Sequence, residues 1–295
     1  MIKQSTNHLF MLEPAEFHAN PETKETNAYQ HEDPSDASPL QGKAQAEFRA
    51  FRDTLISHGV CVTTGKGAKG HPDDIFCNNW VSTHAGQRRM VLYPMLAKNR
   101  QGERRQDLID VLRKSYSDVM DFSVHEQHGK FLESTGSLCL DRVNGIAYLG
   151  RSARGDERLA SMWCETMGYK LFAFDTEDEG KPVYHTDVVM WIGTGMAGIC
   201  ADALKDKSVI EKLKETHEVI EFTNEQMAAF CGNALEVIGE GGRRMLVMSA
   251  AGFRSLSPAQ RKHIGKYYRT VIQPNIPTIE YYGGGSARCM LLELF

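Results

Sequence analysis

The sequence predicts an α/β protein closed into a ring of repeated modules. Three observations carry this expectation. Short apolar runs of strand length alternate with segments of helical periodicity. The order strand-strand-helix-strand recurs at roughly 50-residue intervals, as expected of supersecondary units that stack on one another. No linker divides the 295 residues, so one domain over residues 1–295 is expected.

The elements follow in order. Residues 18–45 are polar and hold Pro21, Pro34 and Pro39. They predict a long loop, which in a compact domain is a lid, a binding loop or a disordered segment. Residues 43–58 repeat Ala46, Phe48, Phe51, Leu55 and Ile56 at helical spacing. Val60-Cys61-Val62 reads as a strand, and 105–119 as a helix. Strands are expected at 137–140 and 145–149, with a turn at 141–144, then a helix at 155–167 and a strand at 170–174. Strands at 183–192 and 197–200 precede a helix at 206–215. Another helix starts after Thr223, with Gln226 completing a capping box. A strand at 244–249, a helix at 257–267 and strands at 277–281 and 289–294 close the chain.

Composition narrows the classes of function. The apolar share of 41% and charged share of 24% are ordinary for a globular protein. A net charge of -4 provides no general attraction to nucleic acid or an anionic membrane. The basic cluster at 100–105 is interrupted by Gln101, Gly102 and Glu103 and reads as a solvated loop. The apolar run at 9–12 is too short for a signal peptide, and no stretch approaches the ~20 apolar residues of a membrane helix. A cytoplasmic location is therefore expected, with no membrane and no nucleic-acid partner. The seven cysteines are odd in number and include no Cys-x-x-Cys pair. Neither a disulfide framework nor a zinc ribbon fits, and most of the thiols are expected reduced and buried.

Three motifs carry less than they suggest. Residues 65–70 match G-x-G-x-x-G, but Pro72 discourages the helix that a dinucleotide site needs, so a flexible loop is expected. His125 and His128 lie in a polar segment without a third ligand at useful spacing, so no metal is expected there. No G-x-S-x-G elbow offers a serine nucleophile.

Four segments put polar residues where a packed sheet would not want them: Phe76-Cys77-Asn78-Asn79-Trp80, Phe131-Leu132-Glu133-Ser134-Thr135-Gly136, Tyr184-His185-Thr186-Asp187 and Gly283-Gly284-Gly285-Ser286-Ala287-Arg288-Cys289. In the last, glycines allow close approach of a ligand, and Arg288 stands beside Cys289. That setting fits a thiol with lowered pKa; taken alone it fits equally the start of a buried strand, MLLELF. His185 and Asp187, two apart, point to one face if the segment is a strand. A half-buried His in an edge strand fits that pair as well.

Taken together, these motifs resemble the pentein superfamily of arginine deiminases, dimethylarginine hydrolases and amidinotransferases. The matching pieces, F-x-E-x-x-G, His-x-Asp, G-x-S-x-R and the C-terminal glycine-rich turn ending in Cys289, span 76–290. Within the superfamily, MLEPAEFHANPET and FCNNWVSTH look most like bacterial citrulline hydrolases (ureidases). The resemblance implies a five-bladed propeller of ββαβ modules around a central site. It implies Cys289 as nucleophile, His185 as general acid/base, Glu133 as the carboxylate that holds the His, Asp187 as substrate-binding acid, and Arg154 as the cation for the substrate α-carboxylate.

One departure speaks to the substrate. Arginine deiminases carry an Asp where this chain has Asn78 and Asn79. A carboxylate only accepts hydrogen bonds, whereas an amide donates and accepts. Asn79 can donate to a ureido oxygen while Asp187 takes the N–H groups, so the expected substrate is citrulline or a related amino acid. The expected reaction leaves ornithine, carbon dioxide and ammonia through an S-carbamoyl cysteine, with no metal or organic cofactor. A guanidino substrate is the alternative if Glu13, Glu22 or Asp74 enters the site: arginine deiminase, dimethylarginine hydrolase or amidinotransferase chemistry. A non-catalytic pentein binding protein is the alternative of another class, and a homo-oligomer is left open.

Overall fold

The apolar run at 9–12 is a buried strand that joins the two ends of the chain. The computed structural model describes residues 3–33, 39–86 and 88–295. The strands in chain order are β1 (His8–Glu13), β2 (Cys61–Lys66), β3 (Val81–His84), β4 (Arg89–Leu92), β5 (Asp118–Asp121), β6 (Leu138–Asp141), β7 (Ile146–Gly150), β8 (Lys170–Phe174), β9 (Met190–Ile192), β10 (Met196–Cys200), β11 (Glu218–Phe222), β12 (Leu235–Ile238), β13 (Arg244–Val247), β14 (Val271–Ile272) and β15 (Leu292–Glu293). Among the described residues they form five three-stranded sheets.

Each sheet repeats one plan. An antiparallel pair such as β3–β4 is followed by a parallel partner, β5. A parallel return needs a crossover, and helix Gln106–Arg113 provides it. Helices Glu157–Met167, Ser208–Lys214 and Pro258–Tyr267 do the same for β8, β11 and β14. The remaining module is split across the chain ends. β15 pairs antiparallel with β1, which pairs parallel with β2 through helix Leu40–Ser57. Neighbouring modules meet where β15 touches β3, β6 touches β9 and β9 touches β12. Ile238 N donates to Thr6 O at 2.9 Å and completes the circuit. This is the five-module α/β propeller that the resemblance implies.

The crossover helices supply the outer layer of core. Helix Leu40–Ser57 buries Ala44, Phe48, Phe51 and Leu55 against β1 residues Leu9 and Met11. Each large apolar side chain so buried contributes about 1.5–3 kcal/mol. Among the described residues no helix is long and apolar enough to cross a membrane.

Several expectations change. Residues 277–281 are not a strand but part of helix Pro277–Gly283, with Pro277 in the first turn, where its fixed φ suits a helix start. Residues 183–192 are not one strand. The chain makes a helical turn at Thr186–Val189 before β9, because Thr186 Oγ1 donates to Ser137 O and accepts from Gly150 N. His185 and Asp187 therefore do not share a strand face. Cys289 is not in a strand either; it sits in the 3-10 turn Arg288–Met290. The helix expected at 105–119 stops at Arg113, since Asp118–Asp121 is taken by β5. Helix Leu40–Ser57 begins inside the expected loop 18–45, and residues 34–38 lie outside the described residues. Residues 18–33 have no regular structure, yet Asn20, Thr23, Asn27 and Gln30 are buried.

The cluster at 100–105 is not a solvated loop. Arg100 and Glu103 are buried and bonded at 2.7 Å, because Glu103, Asp73 and Glu133 surround the guanidinium. The glycine motif at 65–70 leaves β2 and enters a loop, where Ala68 N donates to Asp74 Oδ2. His125 and His128 lie on the 3-10 turn Ser123–His128. No cluster of three or more His, Cys, Asp or Glu suited to a metal occurs among the described residues.

Candidate active site

The ring has one recurring position where polar residues converge: the turn that precedes the first strand of each module. Cys77–Asn79 leads into β3, Ser134–Ser137 into β6, Thr186–Val189 into β9, residues 230–233 into β12 and Arg288–Met290 into β15. These turns carry Asn78 and Asn79, Glu133, His185 and Asp187, Asn233, and Cys289. A helical turn followed by an extended strand leaves side chains at the strand entrance directed inward rather than alternating across a sheet. All seven residues expected in the site are buried.

Glu133 is the hub of the first half. Its Oε2 lies 2.8 Å from His185 Nε2, 3.5 Å from Arg154 Nη1 and 3.7 Å from Arg100 Nη1. Its Oε1 accepts from Leu96 N at 3.0 Å. Burial alone would raise the carboxyl, but Arg154, His185 and Arg100 hold it well below the usual carboxylate range. Burial lowers His185, and the bond to Glu133 opposes that only in part. Burial thus favours the neutral imidazole. Its Nε2 is committed to Glu133, and Nδ1 faces Gly136, where a Cβ would come within 2.8 Å of it.

Cys289 and Asp187 form the second half. Cys289 Sγ is 3.6 Å from Asp187 Oδ2, which accepts from Asn78 Nδ2 at 3.2 Å. Burial, then the charge of Asp187, push the thiol well up. Burial also raises Asp187. Arg288, expected to supply charge beside the thiol, bonds instead to Glu293 Oε2 at 3.3 Å and Leu291 O at 2.8 Å. Asn233 Nδ2 lies 3.1 Å from Cys289 Sγ.

Between the halves lies a narrow cavity lined by Asn79, Arg100, Arg154, His185 and Cys289 together with Asp73 and Phe76. Asn79 Nδ2, Asp187 Oδ1, Asn78 Oδ1 and Asp73 Oδ1 are buried there or beside it without a partner. Buried polar atoms are normally satisfied, so four together mark a place where something else binds. A side chain at Gly136 would collide with the Asn79 amide, so this glycine sets how close Asn79 comes to His185. The glycines at 283–285 make room mainly for the protein itself: Gly283 and Gly285 for the Phe76 ring, Gly284 for Asn27. Part of the loop 18–33 packs against the site. Thr26 Oγ1 accepts from Arg154 Nη2 at 2.8 Å, and Asn27 Nδ2 donates to Gly284 O at 3.2 Å.

Asn79, Arg154, His185 and Cys289 line one cavity, Glu133 and Asp187 bond to residues that line it, and Asn78 stands one step further out, bonded to Asp187. The acids considered as possible additions do not. Glu13 pairs with Arg49, Glu22 accepts from Asn99 N, and Asp74 turns to Ala68 N. Asp73, which sequence reasoning passed over, lines the cavity instead. Arg100 was hidden in a run that reads as surface charge. Asn233 was missed although a signal existed, since the fourth module should carry a polar turn like the others.

A family described as N,N dimethylarginine dimethylhydrolase, eukaryotic, matches residues 13–295. The chain belongs to this family. Its pentein fold is shared by solved structures of low identity. ArgZ, an arginine dihydrolase from the ornithine-ammonia cycle in cyanobacteria, aligns with TM-score 0.78 at 19% identity, over 97% of the present chain and 40% of ArgZ. The chain thus spans well under half of full-length ArgZ. Against the N-terminal domain of ArgZ, covalently bound to a reaction intermediate, the TM-score is 0.79 at 18% identity, covering 98% and 97%. A mutant of DDAH from Pseudomonas aeruginosa complexed with citrulline aligns with TM-score 0.69 at 19% identity over 100% of both chains. No curated protein sequence matches.

As a member of the dimethylarginine hydrolase family, the chain is a pentein-fold hydrolase acting on C–N bonds. The family label is broader than the choice between a ureido and a guanidino group. In this pentein, Asn79 and Asp73 line the cavity, and Asp187 and Asn78 stand behind Cys289.

Proposed function

We propose that the chain, as a single catalytic domain, hydrolyses the ureido group of citrulline to ornithine, carbon dioxide and ammonia. The supporting observation is a pair of unmatched atoms: Asn79 Nδ2, a donor on a residue that lines the cavity, and Asp187 Oδ1, an acceptor on the residue behind Cys289. A ureido group offers one carbonyl acceptor and N–H donors, which complement both. A guanidinium offers donors only and would leave the Asn79 amide N–H unpaired, at a cost of about 1–3 kcal/mol.

In this reading His185 Nδ1 takes the Cys289 proton as Sγ attacks the ureido carbon. His185 then gives that proton to the ornithine nitrogen as its bond to the carbon breaks. S-carbamoyl cysteine remains. His185 deprotonates a water whose oxygen adds to the carbamoyl carbon, and the thiolate departs and is reprotonated. The released carbamate falls to carbon dioxide and ammonia. Glu133 orients His185 and stabilises its charged form. Arg154 binds the α-carboxylate, and Arg100, which faces the same cavity, adds a second cation for it. Asn78 holds Asp187 in place. The small-molecule substrate needs no metal or organic cofactor for these steps.

Asp73 favours a second reading, a guanidino substrate, because it adds a carboxylate to the cavity lining. Incubation with citrulline, arginine and methylarginine in turn, with products identified, separates the two. Ornithine and ammonia from citrulline support the proposal; citrulline accumulating from arginine, with citrulline itself inert, contradicts it. Ornithine from both would make citrulline hydrolysis the second of two steps, the outcome suggested by relatives described as arginine dihydrolases.

A further inference from the structure

A neutral ureido substrate brings no positive charge to help ionise the thiol of Cys289. Arg288, its sequence neighbour, spends its guanidinium on Glu293 and Leu291. The hydrogen bonds that favour the developing thiolate in this buried site come from the Ser286 backbone and from one side chain, Asn233. We infer that Asn233 is a further catalytic residue, the hydrogen-bond donor that holds the Cys289 thiolate as it forms and as it leaves the acyl intermediate. This rests on Cys289 being the nucleophile, and the demand on the donor is greatest for the neutral substrate proposed above.

The geometry leaves the Asn233 amide one orientation. Its Oδ1 accepts from Arg288 N at 2.9 Å and Cys289 N at 3.3 Å. Reversing the amide would set N–H against N–H at both. Its Nδ2 therefore faces the other way and donates to Asp187 O at 3.0 Å and Cys289 Sγ at 3.1 Å. Two hydrogens meet two acceptors, and Asn233 is fully buried, so no water competes. One amide thus grips the backbone on both sides of the Cys289 turn and points its free N–H at the sulfur.

The fourth module is shaped to deliver this group. The turn 230–233 lies so close to Thr186–Val189 that a Cβ at Gly232 would overlap Val188 O. Phe230 is held at φ 65°, a conformation that non-glycine residues rarely adopt. Asn233 N then bonds back to Phe230 O at 3.0 Å. Strain and close approach converge on placing one side chain. An N–H aimed at a forming anion in a water-excluded site is the arrangement that stabilises charge most per bond.

A purely structural strut would make the same contacts, so the test must read the sulfur itself. The probe is iodoacetamide, with alkylation of the Cys289 peptide followed by mass spectrometry across pH in wild type, Asn233→Asp and Asn233→Ser. Following that peptide alone excludes Cys61, which is exposed. Asn233→Asp keeps the shape but puts a lone pair and charge against Sγ; Asn233→Ser withdraws the donor without adding charge. We expect Cys289 alkylation at neutral pH to fall about 10–100-fold in Asn233→Asp and about 10-fold in Asn233→Ser, with the thiol titrating at higher pH in both. We also expect kcat to fall with KM nearly unchanged, because Asn233 touches sulfur and not substrate. Folded variants whose Cys289 alkylation profile overlays wild type overturn the inference and leave Cys289 as nucleophile untouched. Absence of Cys289 alkylation in the wild type overturns both assignments together.

Discussion

Glu133 and Glu293 are both buried carboxylates between two arginines, yet their surroundings differ. Glu293 lies 3.2 Å from Arg142 and 3.3 Å from Arg288. Glu133 lies 3.5 Å from Arg154 and 3.7 Å from Arg100. Near Glu293, the side chains of Gln4, Ser5, Arg142, Glu236 and Arg288 have no atom buried without a partner, and Trp191 Nε1 is the single such atom beside them. Near Glu133, four polar atoms of Asp73, Asn78, Asn79 and Asp187 are. A closed network of this kind serves the fold. An open one costs about 1–3 kcal/mol per unmet group and makes sense where a ligand completes it. Charge and burial alone would rank the two clusters as equals.

Breaking the open cluster should cost activity, and breaking the closed one should cost stability. The largest effect is expected at the nucleophile. Cys289→Ala should lower kcat at least ~10^4-fold with an unchanged thermal midpoint, read by steady-state assay and calorimetry. Glu133→Gln should lower kcat by about 10^2–10^4-fold, since His185 loses the partner that stabilises its charged form. Glu293→Ala should invert the pattern. It strands Arg142 and Arg288 without their carboxylate, which costs about 3–5 kcal/mol in denaturant unfolding while the folded fraction keeps its kcat. If Glu293→Ala instead abolishes turnover in folded protein, the contrast between the clusters fails.

The smaller effects sharpen the chemistry of the open cluster. Asn79→Asp should shift the ratio of kcat/KM for citrulline over arginine by about 10–100-fold toward arginine, the span of one unmatched donor. An unchanged ratio would remove Asn79 from substrate choice. The pH profile is the mildest test. Burial lowers His185 below 6.5 and raises Cys289 above 9.0, with Asp187 adding to the latter. The acid limb of kcat/KM should therefore fall below pH 6.5 and the alkaline limb above pH 9.0, leaving a broad plateau. Stability follows a different group. Glu133 is held below its ordinary 4.5, so its stabilisation is complete above that value and is lost as pH falls below it.

The parts legible in sequence share a physical character. Crossover helices announce themselves by periodicity, as Phe48, Phe51 and Leu55 do in Leu40–Ser57; the capping box of Thr223 with Gln226 was readable from residue type alone, and the structure forms it at the start of the short helix Asn224–Ala228. A closed ring of modules followed from recurrence, and the number five from the resemblance to the pentein superfamily. The turns of the inner ring were harder, because Thr186–Val189 and Arg288–Met290 are fixed by contacts with other modules rather than by local propensity. His185 and Asp187 were paired by strand alternation, and the structure joins them through a helical turn instead. Arg100 shows the same limit. Its residue type and neighbours indicate solvent, and only Asp73, Glu103 and Glu133, brought in by the fold, make burial tolerable. Asn233 lies in a turn with no motif, so nothing short of superposing the modules would draw attention to it.

The central claim is that the open cluster exists for a ureido carbon attacked by Cys289. Rapid acid quench during turnover of citrulline, followed by high-resolution mass spectrometry of the Cys289 peptide, tests it most directly. The account predicts a carbamoyl group on Cys289 that appears within the first turnover and vanishes when citrulline is exhausted. No adduct from citrulline, with an amidino group accumulating on Cys289 from arginine, would contradict it.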